Sequence, residues 1–224
     1  MKNFKTIFAK TLMVLSVLAV FASCKKDKEA KPEDNFDPTK YYITGEEASI
    51  GGGSSPTSYV YCFFANAKTY STSQGGYNFD NPNYTYTDGV IKIGNLTFTI
   101  ANNAVTSCSN ASYRSYHLQK IPDADSFAGK TFKGTVATNG LANGKSCLIK
   151  YTTDKKFNVS IDGFGQTGTG ADYTLQNNGV ATARTGNEGR LHLMTIGDGK
   201  LYYSQVNGAG TPNYTHYYGV LTSQ

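Results

Sequence analysis

Short runs of alternating hydrophobic and polar residues make up most of this chain. Residues 90–93 and 96–100 alternate on either side of the dipeptide Gly94-Asn95. A period of two places successive side chains on opposite faces of a strand, so this stretch predicts a β-hairpin. Residues 59–65 are apolar on both faces and predict an earlier, buried strand. The polar stretch 69–88 predicts a long loop or an irregular hairpin.

The second half of the chain is more regular. Strand-like segments are separated there by turn dipeptides such as Asn143-Gly144, Asp162-Gly163 and Asp198-Gly199, which tolerate the positive φ angles of tight hairpins. The eight predicted strands span 130–138, 146–152, 155–161, 172–176, 179–185, 190–196, 199–206 and 214–221. An even-numbered antiparallel meander can close on itself and so remove its edges. We therefore predict an all-β fold, with an eight-stranded C-terminal barrel or barrel-like sandwich and an N-terminal β-rich segment.

One predicted barrel strand differs from the others in its pattern. In residues 155–161 the apolar side chains lie on one face, as expected for a strand with a solvated side. In residues 190–196 both faces are apolar, with Leu193 on one and Met194 on the other. A strand with two apolar faces needs cover on both sides. We therefore expect this strand to lie beneath another layer, with the N-terminal half as the candidate.

The first 23 residues have the features of a secretory signal peptide. Lys2, Lys5 and Lys10 form a basic start, and residues 12–22 form an apolar run interrupted only by Ser16. The run is too short for a membrane-spanning helix, which needs about 20 apolar residues. We expect this segment to direct export from the cytoplasm and to be removed afterwards.

The end of this segment, Phe21-Ala22-Ser23-Cys24, resembles the lipobox of bacterial lipoproteins, in which small residues precede a Cys. The resemblance implies cleavage before Cys24, attachment of diacylglycerol to its thiol and acylation of the new N-terminus. Several acyl chains would anchor the protein stably, since each buried methylene contributes about 0.8 kcal/mol. The alternative is ordinary secretion, with Cys24 merely close to the cleavage site.

Residues 25–34 follow this Cys as a run of charged side chains, which cannot form a core and predicts a solvated tether. Lysines followed by mixed acids after the Cys resemble the export signals of surface lipoproteins in Bacteroidota. The resemblance implies an outer-membrane lipoprotein exposed at the cell surface. The predicted parts of the chain are a signal peptide (1–23), a lipidated flexible tether (24–58), an N-terminal β-rich segment (59–121) and a C-terminal barrel-like domain (122–224).

The formal net charge of +5 comes mainly from this N-terminal region. Residues 41–224 carry 13 Lys or Arg and 11 Asp or Glu, so the rest of the chain is nearly neutral. No stripe of basic residues remains there, and we expect no nucleic-acid partner. With 13% aromatic and 17% charged residues, the composition also excludes an intrinsically disordered chain.

Three cysteines lie in the body of the chain, at Cys62, Cys108 and Cys147. An oxidising envelope compartment permits one disulfide, and a Cys62–Cys108 bridge is one alternative. The other alternative is that all three are buried free thiols, which pack as small hydrophobic side chains. No Cys and His spacing suggests a zinc site, and we expect neither a metal nor a cofactor.

The chain contains 17 Tyr and no Trp, and several Tyr lie beside His residues in predicted strands. Tyr combines a large contact area with a hydrogen-bonding tip, which suits a binding surface. The spacing Tyr214-x-x-x-Tyr218 resembles the haem-binding Tyr pair of Gram-positive haem-scavenging domains, and the resemblance implies haem capture. The candidate ligand-binding residues are Tyr116, Tyr202, Tyr203, Tyr214, His216, Tyr217 and Tyr218.

Residues 127–134 resemble the Gly-x-Trp opening of lipocalin-like barrels, with Phe132 in place of the Trp. The resemblance implies a barrel that can enclose one small ligand. The sequence contains no GxSxG nucleophile elbow and no Walker-type loop, so we expect no enzyme. The predicted function is non-catalytic binding in the cell envelope, of a small apolar or aromatic ligand or of a surface glycan or protein partner.

An inhibitor or immunity-type lipoprotein is the alternative from another class, and it would act through the Gly-rich loop 163–170 at the barrel mouth. The two functions predict different structures. A ligand-binding protein should contain an apolar cavity inside the barrel. An inhibitor should have a filled barrel and an ordered loop that protrudes from it.

Overall fold

The computed structural model describes residues 36–47, 57–63, 67–73, 76–80, 83–138, 141–166, 169–186, 189–208 and 215–224. Within these ranges the chain forms 19 β-strands and one short 3-10 helix, Pro38–Lys40. The strands are β1 (Tyr41–Glu47), β2 (Thr57–Phe63), β3 (Ala67–Ser73), β4 (Gly76–Asp80), β5 (Tyr84–Thr87), β6 (Val90–Ile93), β7 (Leu96–Ala101), β8 (Ala104–Cys108), β9 (Tyr113–Lys120), β10 (Thr131–Thr138), β11 (Leu141–Tyr151), β12 (Lys156–Ile161), β13 (Gly165–Gln166), β14 (Ala171–Asp172), β15 (Thr174–Asn177), β16 (Val180–Thr185), β17 (Arg190–Gly197), β18 (Lys200–Asn207) and β19 (Thr215–Ser223). They form antiparallel sheets of five, ten and four strands, which confirms the predicted all-β fold.

The ten-stranded sheet curls into a nearly closed barrel in the C-terminal half of the chain. Its first long strand, β10, pairs with the last strand of the chain, β19. Consecutive strands pair from β10 to β12 and from β15 to β19. Between β12 and β15 the wall is completed by β14, which pairs with β12 and contacts β16. The predicted C-terminal barrel is therefore confirmed.

One predicted barrel strand is broken, and one predicted turn lies inside a strand. The segment 172–176 is divided between β14 and β15. The dipeptide Asn143-Gly144, predicted as a turn, belongs to β11. At Gly144 a Cβ would clash with Cγ2 of Thr135 on the neighbouring strand. The glycine therefore allows a close approach of two strands rather than a chain reversal.

The N-terminal fold begins earlier than the sequence pattern indicates. β1 lies inside the five-stranded sheet, between β2 and β9. Its residues Tyr42, Ile43 and Thr44 are buried. The predicted tether of residues 24–58 is therefore wrong for residues 41–47. Their pattern does not alternate because both faces of β1 are covered by other layers.

The polar stretch 69–88 also contributes to the sheets. It contains most of β3, the whole of β4 and β5, and a hairpin in which Thr69 pairs with Asp80. The hairpin alternative for this stretch is confirmed, whereas the long loop is wrong. The polar residues of this stretch form ladders with neighbouring strands, so their polarity does not indicate a loop.

Three layers are stacked in the molecule, with the five-stranded sheet in the middle. On one side of β1, Ile43 packs with Ile91 and Phe98 of the four-stranded sheet β5 to β8. On the other side, the Tyr42 hydroxyl donates a hydrogen bond to the backbone carbonyl of Ile196 in the barrel, at 2.6 Å. Alternate residues of one strand thus contact different layers, as the two-residue period requires.

The N-terminal layer covers barrel strands β17 and β18. On β17, Leu193 packs outward against Tyr42 and Val60, while Met194 packs into the barrel core. The layer predicted above this strand is confirmed. A Cβ at Gly197 would lie 2.5 Å from Cγ2 of Thr44, so glycine is needed where β1 crosses the barrel wall.

The strand directions define two ends of the barrel. We name them the closed end and the mouth. The closed end carries the turns at 152–155, 178–179 and 198–199, and the mouth carries those at 162–164 and 186–189. The chain passes from the N-terminal sheets to the closed end, where Asn178 Nδ2 donates a 2.8 Å hydrogen bond to the Pro122 carbonyl.

Candidate functional site

Aromatic side chains fill the barrel from its closed end. Phe127 precedes β10, is fully buried, and has its ring centroid 5.2 Å from that of Tyr151 and 6.0 Å from that of Tyr173. Phe132 and Phe157 also pack against the Tyr151 ring, at 5.9 and 6.1 Å. The protein's own side chains therefore occupy this part of the interior.

A carboxylate satisfies the polar groups at this end. Asp125 accepts a 2.8 Å hydrogen bond from the backbone N–H of Phe127 on Oδ1. Its Oδ2 accepts a 2.7 Å hydrogen bond from the Tyr173 hydroxyl. Burial raises the pKa of Tyr173, and the hydrogen bond to Asp125 raises it further. The tyrosine therefore remains a neutral donor that holds Asp125 in place.

Two buried hydroxyl groups at the mouth have no such partner. Thr138 ends β10, and Tyr217 lies opposite it on β19. Thr138 is 5% exposed and Tyr217 is 0% exposed, and among the described residues neither Thr138 Oγ1 nor the Tyr217 hydroxyl has a hydrogen-bond partner. Burying an unpaired hydroxyl costs about 1 to 3 kcal/mol. Because the two residues are paired across neighbouring strands, their hydroxyls mark a region where a polar atom of a ligand or of water can be accommodated.

An exposed aromatic ring covers Tyr217. Phe164, in the turn after β12, is 48% exposed and contacts the Tyr217 ring edge-on, with centroids 5.1 Å apart. Lys145 Nζ lies 4.1 Å from the centroid of the Phe164 ring, a cation–π contact. The neighbours Gly163 and Gly165 have φ angles of +80° and +68°, which favour glycine. The Phe164 ring therefore covers part of the Tyr217 ring, and its contacts with Tyr217 and Lys145 hold it at the surface.

A polar network runs through the barrel interior toward the mouth. His192 Nε2 lies 2.8 Å from the Thr185 hydroxyl, and Nδ1 lies 3.0 Å from the Tyr203 hydroxyl. Tyr203 donates to Gln205 Oε1 at 2.6 Å, and Gln205 Nε2 donates to Asn207 Oδ1 at 2.6 Å. Because the Tyr203 proton points to Gln205, the Tyr203 oxygen accepts from His192 Nδ1–H. Nε2 is then the acceptor for Thr185.

Burial sets the charge state of this network. It lowers the pKa of His192 to about 3, with the charge of Arg190 as a second cause. The imidazole is therefore neutral at neutral pH. Burial raises the pKa of Tyr217, and Arg190 partly offsets that rise. The mouth thus combines neutral hydrogen-bonding groups with the positive potential of Arg190.

The predicted ligand-binding tyrosines lie in different parts of the molecule. Tyr203 and Tyr217 belong to the barrel core, where the structure brings them near the mouth network. Tyr202 is 4% exposed and lies under the N-terminal sheet. Tyr116 packs against the four-stranded sheet. Tyr214 lies outside the described residues.

His216 and Tyr218 alternate with Tyr217 along β19 and therefore face outward from the barrel. Their rings lie 5.5 Å apart. His216 Nε2 lies 2.6 Å from the hydroxyl of Ser204, and burial lowers the pKa of His216 to about 4. Tyr218, the member of the haem-like Tyr pair that the structure describes, and His216 beside it are thus on the opposite side of the wall from Tyr217.

Sequence reasoning missed five residues of the mouth and its network, namely Thr138, Thr185, His192, Gln205 and Asn207. A usable signal was present for His192, because it alternates in phase with Met194, which packs in the barrel core. Thr138 has no comparable signal. Its position depends on the pairing of β10 with β19, which are distant in sequence.

One of the two alternatives for the cysteines, the Cys62–Cys108 disulfide, is excluded. Cys108 and Cys147 are free thiols, so the Cys62–Cys108 disulfide is not formed. Cys147 is buried in the barrel core, and burial raises the pKa of its thiol to about 12. A thiol with such a pKa is not ionised at neutral pH and packs as a hydrophobic group. The side chain of Cys62 lies outside the described part of the structure.

Comparisons of this chain with protein-family models, with curated proteins and with solved structures find no match. In the described ranges, no helix has the length and apolar character needed to cross a bilayer. The same ranges contain no group of three or more His, Cys, Asp or Glu residues that could hold a metal ion. The function is therefore inferred from the geometry and chemistry of the barrel.

Proposed function

We propose that this protein is a lipid-anchored envelope protein that binds a small ligand, without catalysis, at the mouth of its barrel. Two observations support this proposal. The buried hydroxyls of Thr138 and Tyr217 have no hydrogen-bond partner among the described residues, and the exposed Phe164 ring lies against the Tyr217 ring. A ligand with an aromatic part can take the place of the Phe164 ring, while its polar atoms pair with the two hydroxyls. Since side chains fill the closed end, the ligand is held near the mouth rather than deep inside.

The proposal includes an orientation of the barrel on the membrane. The backbone carbonyl of Lys40 accepts a 2.8 Å hydrogen bond from the backbone N–H of Ile121, which leads into the closed end. In our proposal, the lipid on Cys24 holds this side of the molecule at the membrane, and the mouth faces away from it. An outer-membrane protein in this orientation would take its ligand from the surroundings.

Native mass spectrometry of the full chain, purified in detergent, tests the proposal. We expect a co-purifying small-molecule mass on the wild-type protein that is lost in the double variant Thr138→Val/Tyr217→Phe. The matched control is Tyr218→Phe, which removes a hydroxyl from the outer face of the same strand and should retain the mass. A mass that persists in the double variant, or the absence of any mass from the wild type, would contradict binding at the mouth.

A second candidate function is an inhibitor or immunity-type protein that binds another protein through residues 163–170. The filled closed end and the exposure of Phe164 favour it. Phe164→Ala separates the two functions. The substitution should abolish capture of a protein partner, because it removes the exposed anchor of the loop, whereas it should preserve or strengthen small-ligand binding by opening the mouth.

Haem capture is a third candidate, carried by the spacing of Tyr214 and Tyr218 around His216. It would require His216 to exchange its hydrogen bond with Ser204 for a bond to iron. Titration with haemin tests it directly. A Soret band that disappears in the variant with all three residues substituted would support haem capture, and the absence of a band in the wild type would exclude it.

A further inference from the structure

A separate groove lies on the outer wall of the barrel, on the opposite side of the wall from the Tyr217 side chain. It has a volume of about 370 Å³, within the usual range of small-ligand sites. It lies over β11 and β12, whereas the N-terminal sheet covers β17 and β18. The lining residues are Leu148, Lys150, Asn158, Val159, Ser160 and Thr169.

The short segment Thr169–Gly170, just before β14, borders this groove. Thr169 lines it, and Gly170 donates a backbone hydrogen bond to Asn158 Oδ1 at 2.7 Å. This bond attaches the segment to the outer face of β12. It also fixes the orientation of the Asn158 amide, because Oδ1 is used as the acceptor and the NH₂ group remains as a donor. The groove therefore has a defined donor beside Lys150.

Lysine side chains give the groove a positive charge. Lys150 is exposed and lies opposite Asn158 on β12 and Thr131 on β10. Lys133 is exposed on β10 and lies opposite Leu148, at the floor of the groove. The residues that lie opposite these two lysines are not acidic. An acidic residue at such a position would neutralise the charge of the lysine across the strand pair.

In contrast, a lysine on the neighbouring strand β12 is paired with an acidic side chain. Lys156 lies opposite Asp172 on β14, and its Nζ is 2.8 Å from Asp172 Oδ1. In the part of the chain that the structure describes, the ion pairs are this one and Lys40 with Asp37. The positive charge of Lys150 is therefore available to a ligand, whereas that of Lys156 is already paired.

We infer that this groove binds a hydroxylated carboxylate, such as a uronic acid sugar. The ligand carboxylate pairs with Lys150, with Lys133 adding to the positive potential. The Asn158 amide and the Ser160 hydroxyl bind sugar hydroxyls, and Leu148 contacts the apolar face of the ring. Hydrogen bonds and charge, rather than stacking on an aromatic ring, provide the binding. This site is independent of the mouth.

NMR titration of the purified full chain with three probes tests the inference. Sodium glucuronate should shift the backbone amide signals of Lys150, Asn158 and Ser160. Glucose lacks the carboxylate and acetate lacks the hydroxyls, so both should bind more weakly. Lys150→Gln should weaken glucuronate binding about fivefold, the scale of an exposed charge pair. Lys156→Gln is the matched control and should leave binding unchanged.

Added salt should weaken glucuronate binding to the wild type, because the charges that attract it are exposed. The inference is overturned if glucuronate does not bind, if glucose or acetate binds equally well, or if Lys150→Gln binds glucuronate like the wild type. It is also overturned if the shifts are confined to residues such as Thr138 and Tyr217. That result would still support ligand binding at the mouth, so the two proposals fail separately.

Discussion

The closed end and the mouth of the barrel differ in whether a buried tyrosine hydroxyl on the barrel interior is paired. At the closed end, the Tyr173 hydroxyl donates to Asp125, which also accepts from the backbone of Phe127. At the mouth, the hydroxyls of Thr138 and Tyr217 are buried and have no partner in the part of the chain that the structure describes. Both ends are built on antiparallel strands of the same sheet. The difference therefore arises from the side chains and not from the backbone.

This difference separates the part of the barrel that stabilises the fold from the part where we propose that a ligand binds. Buried polar groups in folded proteins are nearly always paired, because each unpaired one costs about 1 to 3 kcal/mol. At the closed end that cost is avoided and the space is filled by aromatic rings. At the mouth the cost persists beneath a partly exposed Phe164. A bound ligand would remove it.

The largest expected effect contrasts two phenylalanines, one at each end. Phe127→Ala should lower the free energy of unfolding by about 4 kcal/mol, because it leaves a cavity among packed aromatic rings. Phe164→Ala should lower it by less than about 1 kcal/mol, because that ring is 48% exposed. Urea denaturation of both variants measures the difference. Equal losses would show that the mouth belongs to the folding core and that the two ends do not differ.

The second effect is acid sensitivity of the network that leads to the mouth. The pKa of His192 is about 3 in the fold, against about 6.5 in an unfolded chain. Between these values the unfolded chain binds the extra proton, so stability is complete above about pH 6.5 and decreases as the pH falls toward 3. The loss between neutral pH and about pH 4 should be about 3 kcal/mol.

Denaturation at a series of pH values measures this loss, and the informative window is about pH 6 to 5, where most carboxylates are still ionised. His192→Gln should reduce the slope of stability against pH in that window. His216, whose pKa is lowered to about 4, contributes a slope of the same sign and remains in that variant. A stability that does not change in this window would contradict a neutral, buried His192.

The barrel could be predicted from sequence because its strands obey one simple rule. Segments such as 155–161 alternate with a period of two, and turn dipeptides such as Asp198-Gly199 separate them. β1 could not be found in this way, since Tyr42 and Ile43 are buried against different layers and leave no polar face. Alternation reveals a strand only where one face is solvated.

The candidate site was predictable only in part, for a different reason. Tyr203 and Tyr217 could be predicted as binding residues, because each combines an aromatic ring with a polar hydroxyl group. Thr138 becomes significant only because it lies opposite Tyr217 in the ladder that closes the barrel. A closing ladder joins the first and last strands of a meander, and local patterns do not contain its register. Pairing between distant strands therefore decides which polar residues meet at the mouth.

The smallest expected effect contrasts the same substitution at the two ends. Tyr173→Phe should lower the free energy of unfolding by about 2 kcal/mol, because it removes a donor from the Asp125 carboxylate. Tyr217→Phe should raise it by about 1 kcal/mol in ligand-free protein, because it removes a buried hydroxyl without a partner. Urea denaturation resolves the opposite signs. If both variants lose stability, a bound water satisfies the Tyr217 hydroxyl, and the mouth does not carry the unpaired group that distinguishes it from the closed end.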